Sequence, residues 1–215
     1  MKQLTKYILI SMAIAAVNFA QGFDVKSNGS ETFYFQDELG RNQAVFFSEA
    51  PLESITGMST EVDGSVTLDL SDLKSLDGEI IIPTGSLKSG IDLRDEHIRS
   101  QDWLAAESNP EISFELKSVK NVKESKGNVM KAEVVGDFTV KGVTKEVTAD
   151  ATLTYLEESA ATKARVKRGG DLLGVKANFD FVLSDYGVEN DVVGSKVADN
   201  IEVRVNIIGS NVKPE

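Results

Sequence analysis

VTADATLTY, residues 147–155, alternates apolar and polar side chains without interruption. Successive side chains of an extended chain point to opposite faces, so this stretch predicts a β-strand with one buried and one exposed face. The same alternation recurs at 176–183 and 201–207. Six more segments have strand-like patterns: 44–48, 55–62, 65–70, 78–83, 112–119 and 129–140. The pattern predicts eight or nine antiparallel strands, with turns at pairs such as Asp63-Gly64, Asp77-Gly78 and Lys141-Gly142.

Strands with a single apolar face must hide that face, either between two sheets or inside a closed barrel. A barrel of about eight strands encloses a space that side chains can just fill or that can hold one small ligand. Ala149, Ala151 and Ala177 stand at inward positions and leave room there. Ordinary interdigitation of small and large side chains explains the same residues equally well. At this point a filled core and a cavity both stay open.

The charge of the chain excludes one large class of partner. The 215 residues contain 23 Lys and Arg against 34 Asp and Glu, a net charge of -11. Nucleic acid binding depends on many basic contacts to phosphates, so we expect no nucleic acid partner. The same acidity disfavours adsorption to anionic lipid headgroups. A single histidine and no cysteine argue against a metal site and rule out disulfides.

The N-terminal residues predict export. Lys2 and Lys6 precede an uncharged run over 7–20, the pattern of a secretory signal peptide, here assigned to residues 1–22. The apolar run is too short for a stable membrane anchor, which needs about 20 residues. We therefore expect one mature domain, residues 23–215, that is periplasmic or secreted.

A charged segment at 85–114 interrupts the strands and holds the only histidine and the only tryptophan. Asp92 is expected to cap a short helix from about Leu93 to Arg99, and Ser100 to start a second turn. Arg94, His97 and Arg99 suit an anion-binding group, although a solvated helix face explains them as simply.

A basic cluster at Lys163, Arg165, Lys167 and Arg168 is the second charged feature. If this segment is a strand, the first three side chains point to one side. A hairpin flank in solvent is the simpler interpretation, and docking to an anionic partner is the alternative.

Three blocks of the sequence resemble the YceI-like family of bacterial secreted proteins. They are GEIIIPTGSLKSGIDLRDEHIRS at 78–100, NPEISF at 109–114 and GDFTVKGVTKEVT at 136–148. The resemblance implies an all-β fold, an extended eight-stranded antiparallel lipocalin-like barrel with a short helical insertion. It also implies that the interior holds a long-chain isoprenoid or other amphiphilic lipid, without a cofactor or catalysis.

Two groups of residues follow from this resemblance. The lipid-tail pocket is expected at Phe114, Val147, Ala149, Ala151, Leu153, Tyr155, Phe179 and Phe181. The headgroup or lid is expected at Arg94, His97, Arg99 and Trp103. The family often has a histidine near the first strand and an arginine before the Ser-Asp-aromatic-Gly turn, where this chain has 41–43 (RNQ) and Leu183. These departures leave the headgroup class open.

Two other functions remain as alternatives to a lipid carrier. A lipid-modifying hydrolase would have to use His97 as its base, since no other imidazole exists to complete a nucleophile-base pair. A structural or stress-related β-domain would need no ligand. We expect binding without catalysis, with periplasmic transport or storage of the lipid as its purpose. A homodimer remains open.

Overall fold

The computed structural model describes residues 22–26, 29–125 and 127–214, so the predicted signal peptide lies outside the described residues except for Gly22. Within these ranges the chain forms ten strands and two α-helices. The strands are β1 Ser30–Tyr34, β2 Gln43–Glu49, β3 Ser54–Ser59, β4 Asp63–Asp69, β5 Asp72–Pro83, β6 Glu111–Glu124, β7 Val129–Val140, β8 Val143–Leu156, β9 Leu172–Val182 and β10 Asn200–Ser210. The helices are α1 Asp92–Arg99 and α2 Ala160–Arg165.

The strands form an extended, closed antiparallel barrel of eight strands. Neighbours follow the order β1, β4, β5, β6, β7, β8, β9 and β10, and the pair Tyr34 and Ser210 joins β1 back to β10. Strands β2 and β3 continue the sheet from the other part of β10, where β2 pairs with residues 201–206. The expected fold class is confirmed, and the alternating residues of β8 to β10 supply part of its inner face.

The turn predicted at Asp77-Gly78 is wrong, because both residues lie inside β5. The strand runs through Gly78, which pairs with Val66 of β4, and Gly64 likewise lies inside β4. A Cβ on Gly78 would lie 2.1 Å from the Ser65 carbonyl oxygen, and its φ is +143°. Glycine here lets two strands approach closely while they coil around the barrel. The predicted turn at Lys141-Gly142 is confirmed between β7 and β8.

Asn42 bridges the seam of the sheet, by which we mean the part of β10 between its pairing with β2 and its pairing with β1. Its side-chain nitrogen donates to the carbonyl oxygens of Phe35, at 2.6 Å, and Ile208, at 3.1 Å. Its side-chain oxygen accepts from the Ile208 N–H at 2.9 Å. The residue is fully buried, and it bonds β10 at Ile208, between the residues of β10 that pair with β2 and the one that pairs with β1.

One end of the barrel, at the start of β1, is filled by packed aromatic side chains. The ring centroid of Tyr155 lies 5.8 Å from that of Phe23 and 6.4 Å from that of Phe33. Burial raises the pKa of the Tyr155 hydroxyl, and so does the Asp171 carboxylate that accepts its hydrogen bond at 2.8 Å. This end is therefore solid core, which leaves the opposite end for an opening.

The basic segment 163–168 is a helix and a turn rather than a strand. Ser159 and Thr162 form a capping box at the start of α2, with each side chain bonding the other's backbone N–H. Arg165 lies 3.5 Å from Asp37, and Arg168 donates to the carbonyl oxygens of Tyr34 and Gln36. These arginines hold the β1–β2 connection against the β8–β9 connection, so their first role is structural.

Candidate binding cavity

The barrel interior contains a cavity of about 620 Å³. Its wall is formed by apolar side chains of β2 to β10 together with residues from the α1 segment. Three charged residues, Glu53, Arg94 and Lys196, and the histidine His97 line it. Pockets of this size and apolarity are typical of sites for small apolar ligands. The interior therefore offers a hydrocarbon-like environment with charge confined to a few positions.

Small side chains on adjacent strands create this space. Ala151 of β8 pairs directly with Ala177 of β9, and both line the cavity with Ala149. A methyl group reaches a shorter distance into the barrel than a Leu or Phe side chain at the same position would. The filled-core alternative is thereby excluded, because interior volume remains where these alanines stand.

Six of the eight residues expected in a lipid-tail pocket line the cavity: Phe114, Ala149, Ala151, Leu153, Phe179 and Phe181. Val147 lies on the same face of β8 and packs against a core cluster that includes Phe138 and Tyr186, without lining the cavity. Tyr155 lies beyond the other end of the cavity, in the aromatic packing around Phe23 and Phe33. Val147 and Tyr155, the first and last residues of β8 expected in the pocket, therefore make core contacts and do not line the cavity.

The cavity reaches the surface beside α1. Of the residues that line it, those with exposed side chains are Ile91, Leu93, His97 and Lys196. Arg94 on α1 forms an ion pair with Glu53, which lies between β2 and β3. The N–H of Leu52 donates to the Ser195 carbonyl oxygen at 3.2 Å. We call this opening, formed by 52–53, 91–97 and 192–197, the mouth.

Asp95 fixes α1 at the mouth. Asp92 is the first helical residue rather than the expected N-cap, since Ile91 precedes the helix and gives no side-chain cap. Asp95 instead reaches back from the helix, and its carboxylate accepts hydrogen bonds from the Ser89 N–H at 2.6 Å and the Ser89 hydroxyl at 2.7 Å. The side chain is buried, so these contacts tie α1 to the chain that leads into it.

Asp95 is ionised in the folded protein over a wider pH range than an ordinary aspartate. Burial opposes its ionisation, but the hydrogen bonds from Ser89 and the charges of Lys88 and Arg99 outweigh that effect. The pKa of Asp95 therefore lies below its ordinary value of 3.8. A lowered pKa stabilises the fold at pH values above 3.8, and this contribution is lost as the pH falls through the lowered pKa.

We expect Asp95→Asn to lower the free energy of unfolding by about 1 kcal/mol at neutral pH, because neutral hydrogen bonds replace charge-assisted ones. Urea unfolding at a series of pH values measures the difference from wild type. That difference should shrink below pH 3.8, because the carboxyl of the unfolded chain takes up a proton there while the folded one stays ionised until its lowered pKa is reached. Glu96→Gln, an exposed change on the same helix, serves as the control. A difference that stays constant down to pH 2 would contradict this account of Asp95.

The residues expected at a headgroup or lid site occupy different positions at the mouth. Arg94 and His97 line the opening, and Trp103 lines the cavity wall beyond α1. Arg99 does not line the cavity. Its Nη1 is buried and has no hydrogen-bond partner among the described residues. The structure therefore brings Arg94 and His97 to the opening and separates them from Arg99.

Sequence reasoning missed several mouth residues. Glu53, Ile91, Leu93 and Lys196 come from three segments that are distant along the chain. Ile91 and Leu93 carried a local signal, because they are apolar residues at the start of a charged helix. No pattern within the sequence connects Glu53 or Lys196 to that helix.

No helix within 22–26, 29–125 and 127–214 is long and apolar enough to cross a membrane. Over the same residues, no three His, Cys, Asp or Glu side chains come together as a metal site would require.

Comparison with known proteins identifies relatives of the chain. The family model described as the YceI-like domain matches residues 39–208. A UPF0312 protein of Serratia proteamaculans is 31% identical over 157 residues, covering 73% of this chain and 74% of that protein. A UPF0312 protein of Yersinia pestis is 26% identical over 207 residues, covering 95% and 97%.

Solved structures share the fold. BcnA of Burkholderia cenocepacia gives a TM-score of 0.62 at 18% identity, covering 80% of this chain and 99% of that one. A domain from Saccharophagus degradans, described as polyisoprenoid-binding and implicated in plant cell wall breakdown, gives 0.61 at 12% identity, covering 85% and 99%. At these identities the likeness supports the fold alone.

Proposed function

The chain belongs to the YceI-like family, and from this premise and the form of its cavity we propose that it binds a long-chain isoprenoid or similar amphiphilic lipid without catalysis. The observation that carries the proposal is the apolar cavity of about 620 Å³ with its three charged lining residues, and its one histidine, all at the mouth. Burial of each methylene group contributes about 0.8 kcal/mol, so a tail of several isoprene units would be held firmly. A domain of Saccharophagus degradans that shares the fold is described as polyisoprenoid-binding, and we propose the same ligand class for this chain.

The proposed orientation places the tail inside and the polar head at the mouth. Phe114, Ala151 and Phe179 would contact the tail deep in the barrel. Arg94, His97 and Lys196 would face the head, with Glu53 as the opposing acid. A buried polar head inside the barrel would lose its hydration without gaining charged or strongly polar partners. The mouth is therefore the position where binding the polar head has the lowest desolvation cost.

Binding rather than catalysis fits the surroundings of His97. Its side chain is exposed and has no hydrogen-bond or ion-pair partner among the described residues. A histidine that acts in a nucleophile-base pair needs a nucleophile within hydrogen-bond reach and a group that orients its ring. The hydrolase alternative predicts that purified protein changes the mass of an added lipid, and that His97→Ala prevents this change.

Trp103 offers a direct test of the proposal because it is the only tryptophan and lines the cavity. Titration with a long-chain polyprenol should shift its fluorescence to shorter wavelength and saturate, since hydrocarbon replaces water around the indole. Trp103→Phe should remove the signal while radiolabelled polyprenol still binds. An unchanged spectrum together with no retention of the radiolabelled polyprenol would reject lipid binding.

The signal peptide assigned to residues 1–22 suggests that the lipid is carried or stored outside the cytoplasm. A mature chain beginning near Phe23 would place the protein in the periplasm or medium. Cell fractionation combined with N-terminal sequencing checks this assignment. A full-length chain that keeps Met1 and stays in the cytoplasm would overturn it.

A further inference from the structure

We propose that the mouth docks on the surface of a phospholipid bilayer with net-neutral headgroups, so that a lipid passes between the membrane and the cavity without crossing water. This proposal rests on the proposed lipid-binding function, although the docking surface is a separate feature of the structure. Its evidence is the juxtaposition of exposed apolar side chains with the opening of the cavity.

Three large apolar side chains surround the mouth in exposed positions. Leu52 is 73% exposed, Leu93 is 62% exposed and Ile91 is 50% exposed. We call these three residues the apolar rim. The other exposed large hydrophobic residues in the described part of the chain are Leu39, Leu156 and Val212. Leu39 and Leu156 lie towards the α2 end of the barrel, next to the β1–β2 and β8–β9 connections.

The apolar rim is continuous with the cavity. Ile91 and Leu93 both line the cavity and project into solvent, so apolar surface runs from the interior to the outside. Leu52 stands on the facing side, where its N–H is bonded to Ser195 and its neighbour Glu53 pairs with Arg94. Exposed apolar groups that ring an opening are typical of an interaction site.

The charges around the rim fit a zwitterionic lipid surface. Glu53 and Arg94 neutralise each other across the mouth. Lys196 at the mouth and Lys88 beside it are cations, and Asp92, Asp95 and Glu96 are anions on α1. A phosphatidylcholine surface presents both a phosphate and an ammonium group, so it can meet both signs. Counted together with Glu53 and Arg94, three cations stand against four anions, so both signs are present at the mouth with one anion in excess.

The occupant of this surface must let a ligand enter and leave the cavity, and this requirement favours a membrane over a protein. A protein partner or a second copy seated on the rim would cover the opening and block the exchange of ligand. A bilayer presents hydrocarbon just below its headgroups, which continues the apolar path that starts at Leu93. Interfacial side chains such as these insert into the headgroup and acyl boundary.

Flotation with phosphatidylcholine vesicles tests the proposal on the mature full chain. The double variant Leu52→Gln/Leu93→Gln should reduce the vesicle partition coefficient by about tenfold or more, because two apolar groups no longer leave water. The matched control Leu39→Gln/Leu156→Gln removes the same two side chains at the α2 end and should change partitioning by less than about twofold. Wild-type protein that fails to float, or an equal loss in both double variants, would overturn the proposal.

Two further measurements separate docking from ligand binding. Leu52→Gln alters a residue outside the cavity lining, so it should weaken flotation while its affinity for polyprenol in solution stays unchanged. Wild-type protein that floats but retains no polyprenol supports docking and rejects the proposed function. Light scattering tests the protein alternative: a dimer in wild type that Leu52→Gln dissolves would assign the rim to a second copy and overturn membrane docking.

Discussion

Ala151→Trp should lower the affinity for a long-chain polyprenol by about a thousandfold while leaving the barrel folded. Ala151 lines the middle of the cavity between Ala132 and Ala177 of the neighbouring strands. An indole there would displace about five methylene groups of the ligand, each worth about 0.8 kcal/mol, and about 4 kcal/mol is roughly a thousandfold in affinity. Equilibrium binding of radiolabelled polyprenol measures the loss.

The neighbouring position supplies the control for this variant. Asp150→Trp adds the same side chain to the same strand, but on the exposed outer face. It should bind polyprenol as wild type does, and circular dichroism should show both variants folded. If Ala151→Trp keeps full affinity, the ligand lies elsewhere than in the barrel interior.

Asn42→Ala should reduce the free energy of unfolding by about 2–4 kcal/mol. The substitution leaves two carbonyl oxygens and one N–H of Phe35 and Ile208 without the partners that Asn42 supplies in a fully buried site. A buried polar group that loses its partner costs about 1–3 kcal/mol, and water reaching the seam would recover part of this. Urea unfolding monitored by circular dichroism measures the change.

Asn206→Ala makes the same chemical change at an exposed position of β10. It should alter the free energy of unfolding by less than about 0.5 kcal/mol. Equal destabilisation by the two variants would contradict the role of Asn42 in the seam. The family often has a histidine where this chain has residues 41–43. Here Asn42 serves to close the sheet, because its side chain bonds backbone atoms and does not line the cavity.

The strands that could be predicted are those in which buried and exposed side chains alternate along most of the strand. Alternation within β8, β9 and β10 reports directly on burial, since one face meets the cavity and the other meets solvent. β1 lies outside the predicted strands, because Phe33 is the one buried residue among its five and a single buried position shows no alternation. The Asp77-Gly78 pair is typical of a turn, and no sequence pattern shows that the backbone of Gly78 lies close to Ser65 on the neighbouring strand.

The cavity and its mouth differ in how far the sequence reveals them. Ala149, Ala151 and Ala177 indicated interior space, but their alternation cannot show whether facing strands fill it. The mouth depends on contacts such as Glu53 with Arg94 and Leu52 with Ser195, which join segments 41 to 143 residues apart. Such contacts are set by the closure of the barrel and not by any local pattern.

Native mass spectrometry of protein purified without organic solvent or detergent tests the central claim most directly. The account predicts a population heavier than the apoprotein, whose extra mass is recovered by solvent extraction as a long-chain isoprenoid or other amphiphilic lipid. Incubation with a polyprenol should convert the remaining apoprotein to a one-to-one complex, and Ala151→Trp should prevent that conversion. Protein that carries only its own mass, both as purified and after incubation with polyprenol, would contradict the claim that the barrel holds a lipid.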